Sequence, residues 1–324
     1  MMENADTLGE RSALRTRRAR LKARLDRRGL RWLRTSLMVV SLALAGPSAT
    51  PDAEIQVVLD RFGLRWILRR LLERSAELRA RGVTGVVHRR GAWFHRFDET
   101  HVHAETPGAR CASPDELDGQ TRDTWEHHYT PVPGDTVVDI GAGTGTEVLR
   151  WSRSVGAAGR VIAVEAHPRT FGVMQTLCEL NGLTNVSLLN VAVSDSSGTI
   201  EIETLAEHEA ASIVTGQGTV PVRCVTVDQL LDLAGLDTVD FLKMNIEGAE
   251  LPALQAMRTG AERIRRLCVS CHDFRAEWGH GEVFRTRDGV IHALREMGFS
   301  VGRRHDERPW IRDQVFARRP GLGV

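Results

Sequence analysis

The stretch Val137-Val-Asp-Ile-Gly-Ala-Gly-Thr-Gly145 constrains the chain most. A short β-branched run that ends in an acid and opens into Gly-x-Gly-x-Gly reads as strand, tight turn and helix start. Glycine suits such a turn because it takes unusual backbone dihedrals and lets a ligand approach the main chain. The helix that follows presents free N–H groups beside that ligand. This is the layout of a nucleotide-type cofactor site at the carboxyl end of the first strand of a doubly wound sheet.

A second strand, Arg160-Val-Ile-Ala-Val-Glu165, ends in a carboxylate 24 positions after Gly141. That distance suits hydrogen bonds from ribose hydroxyls to Glu165. The loop places glycine at Gly141, Gly143 and Gly145, whereas position 146 is Thr. A dinucleotide loop wants its third glycine one step later, against the sheet. An S-adenosylmethionine site has no pyrophosphate to cradle, and Asp139 stands where an acid would face the methionine portion. S-adenosylmethionine is therefore the expected cofactor, with Asp139, Gly141, Gly143, Gly145 and Glu165 at its site. The third strand, read over 185–193, brings the backbone of Ala192 and Val193 to the adenine.

The rest of the chain alternates strands with helical segments, as a parallel sheet requires. The expected fold is α/β: a doubly wound, mostly parallel, seven-stranded, Rossmann-like sheet with a basic, helical N-terminal extension. Residues 198–203 and 220–225 read as a hairpin with a polar tip over 206–218, and Thr226 as a helix N-cap. Residues 299–303 and 313–318 close the sheet as an antiparallel pair. A helix is expected over 121–129, and residues 121–324 form the catalytic domain.

The 324 residues leave room for one such domain with an extension, or for two domains. Residues 1–53 carry an Arg-rich run over 11–34 and then Leu37-Met-Val-Val-Ser-Leu-Ala-Leu-Ala45, too short to span a bilayer. A secretory signal, a peripheral membrane-surface helix and a partner-binding or unordered extension all stay open for it. Export would separate an enzyme from cytosolic S-adenosylmethionine, and five cysteines make no disulfide framework, so a cytoplasmic location is expected. The net charge of +1 is concentrated nowhere outside that run, which argues against a nucleic-acid partner.

Residues 54–120 read as a helical and irregular region. One long helix is expected over 54–81, with Ile55, Leu59, Phe62, Trp66, Leu68 and Leu72 on its apolar side, to cap the domain or to pair two subunits. His88, His95, His101 and His103 read as surface histidines on a substrate-facing segment. No carboxylate or cysteine completes a ligand set around His101-x-His103, and no metal site is expected. Cys268-Val-Ser-Cys271-His272 spells a haem-attachment motif inside a buried strand, with its cysteines on opposite faces, and is read as coincidence.

Lys243-Met-Asn-Ile-Glu-Gly-Ala-Glu250 turns these features into a family likeness. Together with Val138-Asp-Ile-Gly-Ala142, Val164-Glu-Ala-His-Pro168, Asn190-Val-Ala-Val-Ser-Asp195 and Val225-Thr-Val-Asp-Gln-Leu230 motifs in order, it resembles the FkbM-type S-adenosylmethionine-dependent methyltransferases over about residues 120–300. The resemblance implies a class I methyltransferase fold and transfer to a hydroxyl of a sugar or polyketide-type small molecule. The family's usual acid is here Asn245, which can hydrogen-bond but cannot act as a base. The family often has Ala-Asn where this chain has Ala142-Gly143. A hydroxyl acceptor must lose a proton, and the candidate catalytic residues are Asn245, Glu247 and His272. A dehydrogenase, a non-catalytic binder and an RNA methyltransferase are the rival readings.

Overall fold

A computed structural model describes residues 65–105, 112–202 and 220–321. The basic run, the first part of the expected 54–81 helix and the hairpin tip lie outside the described residues.

Seven strands form the central sheet: β4 (Thr136–Ile140), β5 (Arg160–Val164), β6 (Val186–Leu189), β10 (Phe241–Met244), β11 (Arg266–Ser270), β12 (Ser300–Arg303) and β13 (Gln314–Arg318). Their order is β12-β13-β11-β10-β4-β5-β6. The first five in chain order pair in parallel, while β13 runs antiparallel to both β11 and β12. The doubly wound, mostly parallel sheet expected from the sequence is therefore present. Its strand order reverses between β4 and β10, which opens a crevice at their carboxyl ends.

Strand alternation sorts the side chains into two cores. Val138, Ile140, Ile162, Val164, Leu242 and Met244 face one side, against α6 (Val227–Leu233), α7 (Glu250–Gln255) and α10 (Arg287–Glu296). Val137, Val161, Ala163 and Phe241 face the other. There they meet Trp125 of α3 (Pro114–Trp125), Val148, Trp151 and Val155 of α4 (Thr146–Val155) and Met174 of α5 (Pro168–Leu180). Cys268 and Cys271 fall into opposite cores, and both thiols are buried. Among the described residues no helix is long and apolar enough to cross a membrane.

Several expected elements differ. The helix over 54–81 is broken where it is described: α1 (Arg65–Glu73) ends, and Ser75 caps a separate α2 (Ala76–Ala80) by accepting the Leu78 amide at 3.3 Å. Leu68 and Leu72 are fully buried, but Trp66 is 67 % exposed. Residues 85–104 are not irregular. β1 (Gly85–Arg89), β2 (Ala92–Phe97) and β3 (Thr100–Ala104) form an antiparallel meander in which His95 is completely buried. The helix expected over 121–129 starts earlier, because Ser113, Pro114 and Glu116 build a capping box at its start.

The strand read over 185–193 is split. β6 stays in the main sheet, while β7 (Ala192–Val193) pairs in parallel with β9 (Val220–Val225), itself antiparallel to β8 (Gly198–Ile202). Asn190 makes the break, donating from Nδ2 to the carbonyls of Glu165 and Ala166 at 2.8 and 3.0 Å.

Candidate active site

At the carboxyl ends of β4, β5 and β10 a cavity of about 360 Å³ opens. The glycine loop forms its floor. Gly141 and Ala142 both donate to the Val164 carbonyl at 2.9 Å, so the loop folds back across β5. Gly141 has φ +80°, and a Cβ there would fall 1.9 Å from the Asn245 carbonyl oxygen. No side chain fits between the two crossing backbones. Gly143, by contrast, has φ +56° and open space where its Cβ would stand, on the side from which a ligand approaches. Gly145 lies behind the wall as the residue preceding α4.

Glu165 lines the cavity and accepts from the amides of Gly143 (3.0 Å) and His167 (2.8 Å). Burial lifts its carboxyl to about 6, against the pull of those two amides. Each oxygen keeps a lone pair for a ribose hydroxyl. Ala192 and Val193 also line the cavity, where the sequence reading put the adenine.

Asp139 stands elsewhere than expected. It is 0 % exposed beneath the loop, 2.8 Å from Lys243 Nζ. Parallel register sets Lys243 directly opposite Asp139, and the ammonium also donates to the Gly141 carbonyl at 2.7 Å. Burial pushes the Asp139 carboxyl up, and Lys243 opposes that shift. For Lys243 burial pulls down, but Asp139 and Glu147 outweigh it, so the ammonium is held above its ordinary value. The pair acts as a buried tie between two strands and the loop.

The β10 motif supplies the remaining wall through Asn245, Ile246 and Glu247. Asn245 Oδ1 is buried with no hydrogen-bond partner among the described residues. Glu250 fixes the turn by accepting the amides of Ile246 and Gly248, each at 2.9 Å. Glu247 has φ +55° and pairs with Arg275 and with His272 (Nε2 to Oε1, 3.4 Å).

His272 is not on the cavity wall. It is buried behind Glu247, with Nδ1 3.2 Å from Glu250. Burial lowers its pKa, but Glu250 and Glu247 more than reverse this and carry it to about 10. At neutral pH the ring is a cation, with no free base to offer. Glu247 is held anionic in turn: burial raises it, and His272 with Arg275 bring it below its ordinary value.

The sequence reading did not single out Lys243, Glu250, Arg275, Trp125 or Glu105, and it read His103 as a surface histidine on a substrate-facing segment. Glu250 was recoverable from its place in the first turn of α7, whereas the role of Lys243 follows from the register of the assembled sheet. Trp125, His103 and Glu105 line the cavity from segments outside the motifs. Among the described residues no group of three or more His, Cys, Asp or Glu gathers as a metal site would need.

This donor set fits S-adenosylmethionine: an open glycine cradle, a carboxylate at the second strand end and an unsatisfied carbonyl oxygen at the fourth. The methyltransferase FkbM domain family matches the chain over residues 139–301, about half its length. Solved structures with a similar fold include the methyltransferase FkbM from Methylobacillus flagellatus KT, at 17% identity and TM-score 0.43. The match covers 64% of this chain and 50% of that one. Fibrillarin from Aeropyrum pernix, crystallised with natively bound S-adenosyl-L-methionine, matches at 14% identity and TM-score 0.37, covering 72% and 97%. Fibrillarin from Methanococcus jannaschii matches at 13% and 0.40, covering 71% and 90%. No curated protein matches the chain.

Proposed function

The chain belongs to the FkbM methyltransferase family, which draws on S-adenosylmethionine, and from that premise we propose that it methylates a hydroxyl group of a small sugar or polyketide-type metabolite. The observation that carries the cofactor half is the cavity itself, where the glycine loop, Glu165, Ala192–Val193 and Asn245–Glu247 converge on about 360 Å³. Bound S-adenosylmethionine supplies an electrophilic methyl group on a sulfonium.

The chain's own residues do the rest by orientation. Glu165 accepts from the ribose, and the backbone at Ala192 and Val193 meets the adenine. Asn245 offers Oδ1 to a donor on the acceptor or the cofactor's amino group, and takes no proton. Glu247, anionic and clamped, accepts a hydrogen bond from the acceptor hydroxyl. His272 serves as a positioning residue that holds Glu247 in its left-handed conformation.

The acceptor is read as small because a 360 Å³ cavity that also takes the cofactor leaves little room, and because residues 121–324 carry no excess of Lys and Arg over Asp and Glu of the kind RNA binding favours. A cytoplasmic site of action follows from the cofactor supply. Calorimetric titration with S-adenosylmethionine, S-adenosylhomocysteine and NADH tests the cofactor. Micromolar binding of the first two, lost in Glu165→Ala, is the expected result, and binding of NADH alone would overturn it. Label from methyl-labelled donor should then pass to glycosides in a metabolite extract; transfer to RNA would overturn the acceptor class.

A further inference from the structure

A second cavity, of about 250 Å³, opens at the other end of the central sheet, beside the amino termini of β10 and β11. It shares no lining residue with the transfer cavity. Its floor is apolar, with the buried rings of Phe241 in β10 and Phe316 in β13. His128 and Tyr129, between α3 and β4, close one side, and the His128 ring packs on Phe316 at 4.3 Å. Arg266 of β11, Arg318 of β13 and Ser300 of β12 stand at its mouth.

Two features here break the ordinary rules of a sheet. Register sets Arg318 directly opposite Arg266 on one side and Ser300 on the other. The three side chains therefore leave one face, from stems about 5 Å apart. Like charges directly opposite each other destabilise a strand pair. Among the described residues neither guanidinium has an ion-pair or hydrogen-bond partner; Arg266 lies over the Tyr129 ring at 3.9 Å. Their chain neighbours are provided for: Arg265 pairs with Asp240, and Arg319 donates to the carbonyls of Met297 and Ala261. The acids near Tyr129 are taken as well. Asp135 accepts from the Tyr129 hydroxyl and the Val132 amide, and Asp240 from Arg265 and the Thr136 amide. The second feature is Gly302, inside β12 and opposite Phe316. A Cβ there would meet nothing nearer than His128 Cε1 at 3.9 Å, an ordinary contact on ordinary strand backbone. Neither crowding nor dihedrals call for glycine, which weakens a strand interior and often marks the approach of a ligand. Its effect is to keep the cavity open.

We propose that this cavity is a binding site for a small aromatic carboxylate, separate from the transfer site. The ligand's ring packs on Phe241, Phe316 and the two side-wall rings. Its carboxylate sits between Arg266 and Arg318, whose planar forks match two oxygens and whose mutual repulsion it removes. Ser300 offers its hydroxyl as a further donor. A volume of about 250 Å³ lies below that of ordinary cofactor sites and suits a single ring.

The test is calorimetric titration of the full-length chain with benzoate and with benzyl alcohol, an uncharged probe of similar shape. Benzoate is expected to bind at least about tenfold more tightly than the alcohol. Two variants locate the site. Arg318→Gln removes one guanidinium at an exposed position, and should melt no lower than the parent because a like-charge contact is relieved. Gly302→Leu fills the cavity while both guanidiniums stay in place, and Gly302→Val serves if the leucine variant does not fold. Each should weaken benzoate binding about tenfold or more. No benzoate binding, equal affinity for the two probes, or benzoate binding that survives either variant would overturn the proposal.

Discussion

At the scale of single residues, the glycine loop separates two uses of the same residue type. Gly141 is glycine because two backbones cross there, with the Asn245 carbonyl 1.9 Å from any Cβ. Gly143 is glycine with empty space in front of it, on the cavity side. Gly141→Ala is thus expected to cost about 3 kcal/mol or more of folding stability, from the clash and the left-handed backbone together. Gly143→Ala should cost only about 1 kcal/mol, yet weaken S-adenosylhomocysteine binding at least tenfold. Urea unfolding and calorimetric titration of both variants measure the two effects. Equal stability losses would mean that Gly143, too, is held for the fold. Glycine spacing was legible in the sequence; which glycine serves the fold was not, since the crossing partner Asn245 lies about 100 positions away. Asp139 shows the same limit. Its place at the strand end was readable, but its partner Lys243 follows from a register that only the assembled sheet sets.

At the scale of elements, the strands of the mostly parallel sheet were readable because hydrophobic runs, glycine turns and N-caps agreed with one another. The meander was missed because its strands mix His, Arg and Trp, and their alternation is masked by β2, where five of six positions are buried. What docks it is a small set of polar contacts. Asn181 Nδ2 bonds the carbonyls of His101 and Leu177 at 2.9 and 2.8 Å, and Oδ1 takes the His101 amide. Asn181→Ala removes three hydrogen bonds, two of them across the joint, with an expected loss of about 2–4 kcal/mol. Hydrogen exchange should quicken in 85–104 far more than in β4 or β10. A uniform rise across both sheets would show that the joint carries no local role.

At the scale of the whole molecule, residues 65–105 do not keep their apolar core to themselves: Leu68, Leu72 and Phe94 pack in one cluster with Leu149, Val173 and Leu177 of the methyltransferase helices. A single cooperative transition is therefore expected by fluorescence and by circular dichroism, in place of separate melting of an N-terminal region and a catalytic domain. Ligand should stabilise that whole unit. S-adenosylhomocysteine at 100 times its dissociation constant adds about 2.7 kcal/mol, or about 5–10 °C for a unit of this size. The increment should depend on pH through Glu165, whose carboxyl stands at about 6 in the folded chain against an ordinary 4.5. Between those values the folded state binds more protons than the unfolded one, so the ligand-free protein gains stability from this group as pH falls. The ribose needs the carboxylate, so ligand binding weakens over the same window. Above pH 7 the full ligand shift is present; below pH 6 it should shrink by up to about 1.4 kcal/mol per pH unit. Melting curves at pH 5, 6, 7 and 8, with and without ligand, read both slopes at once. A ligand shift unchanged from pH 8 to pH 5 would mean that Glu165 holds the glycine loop and never meets the ribose.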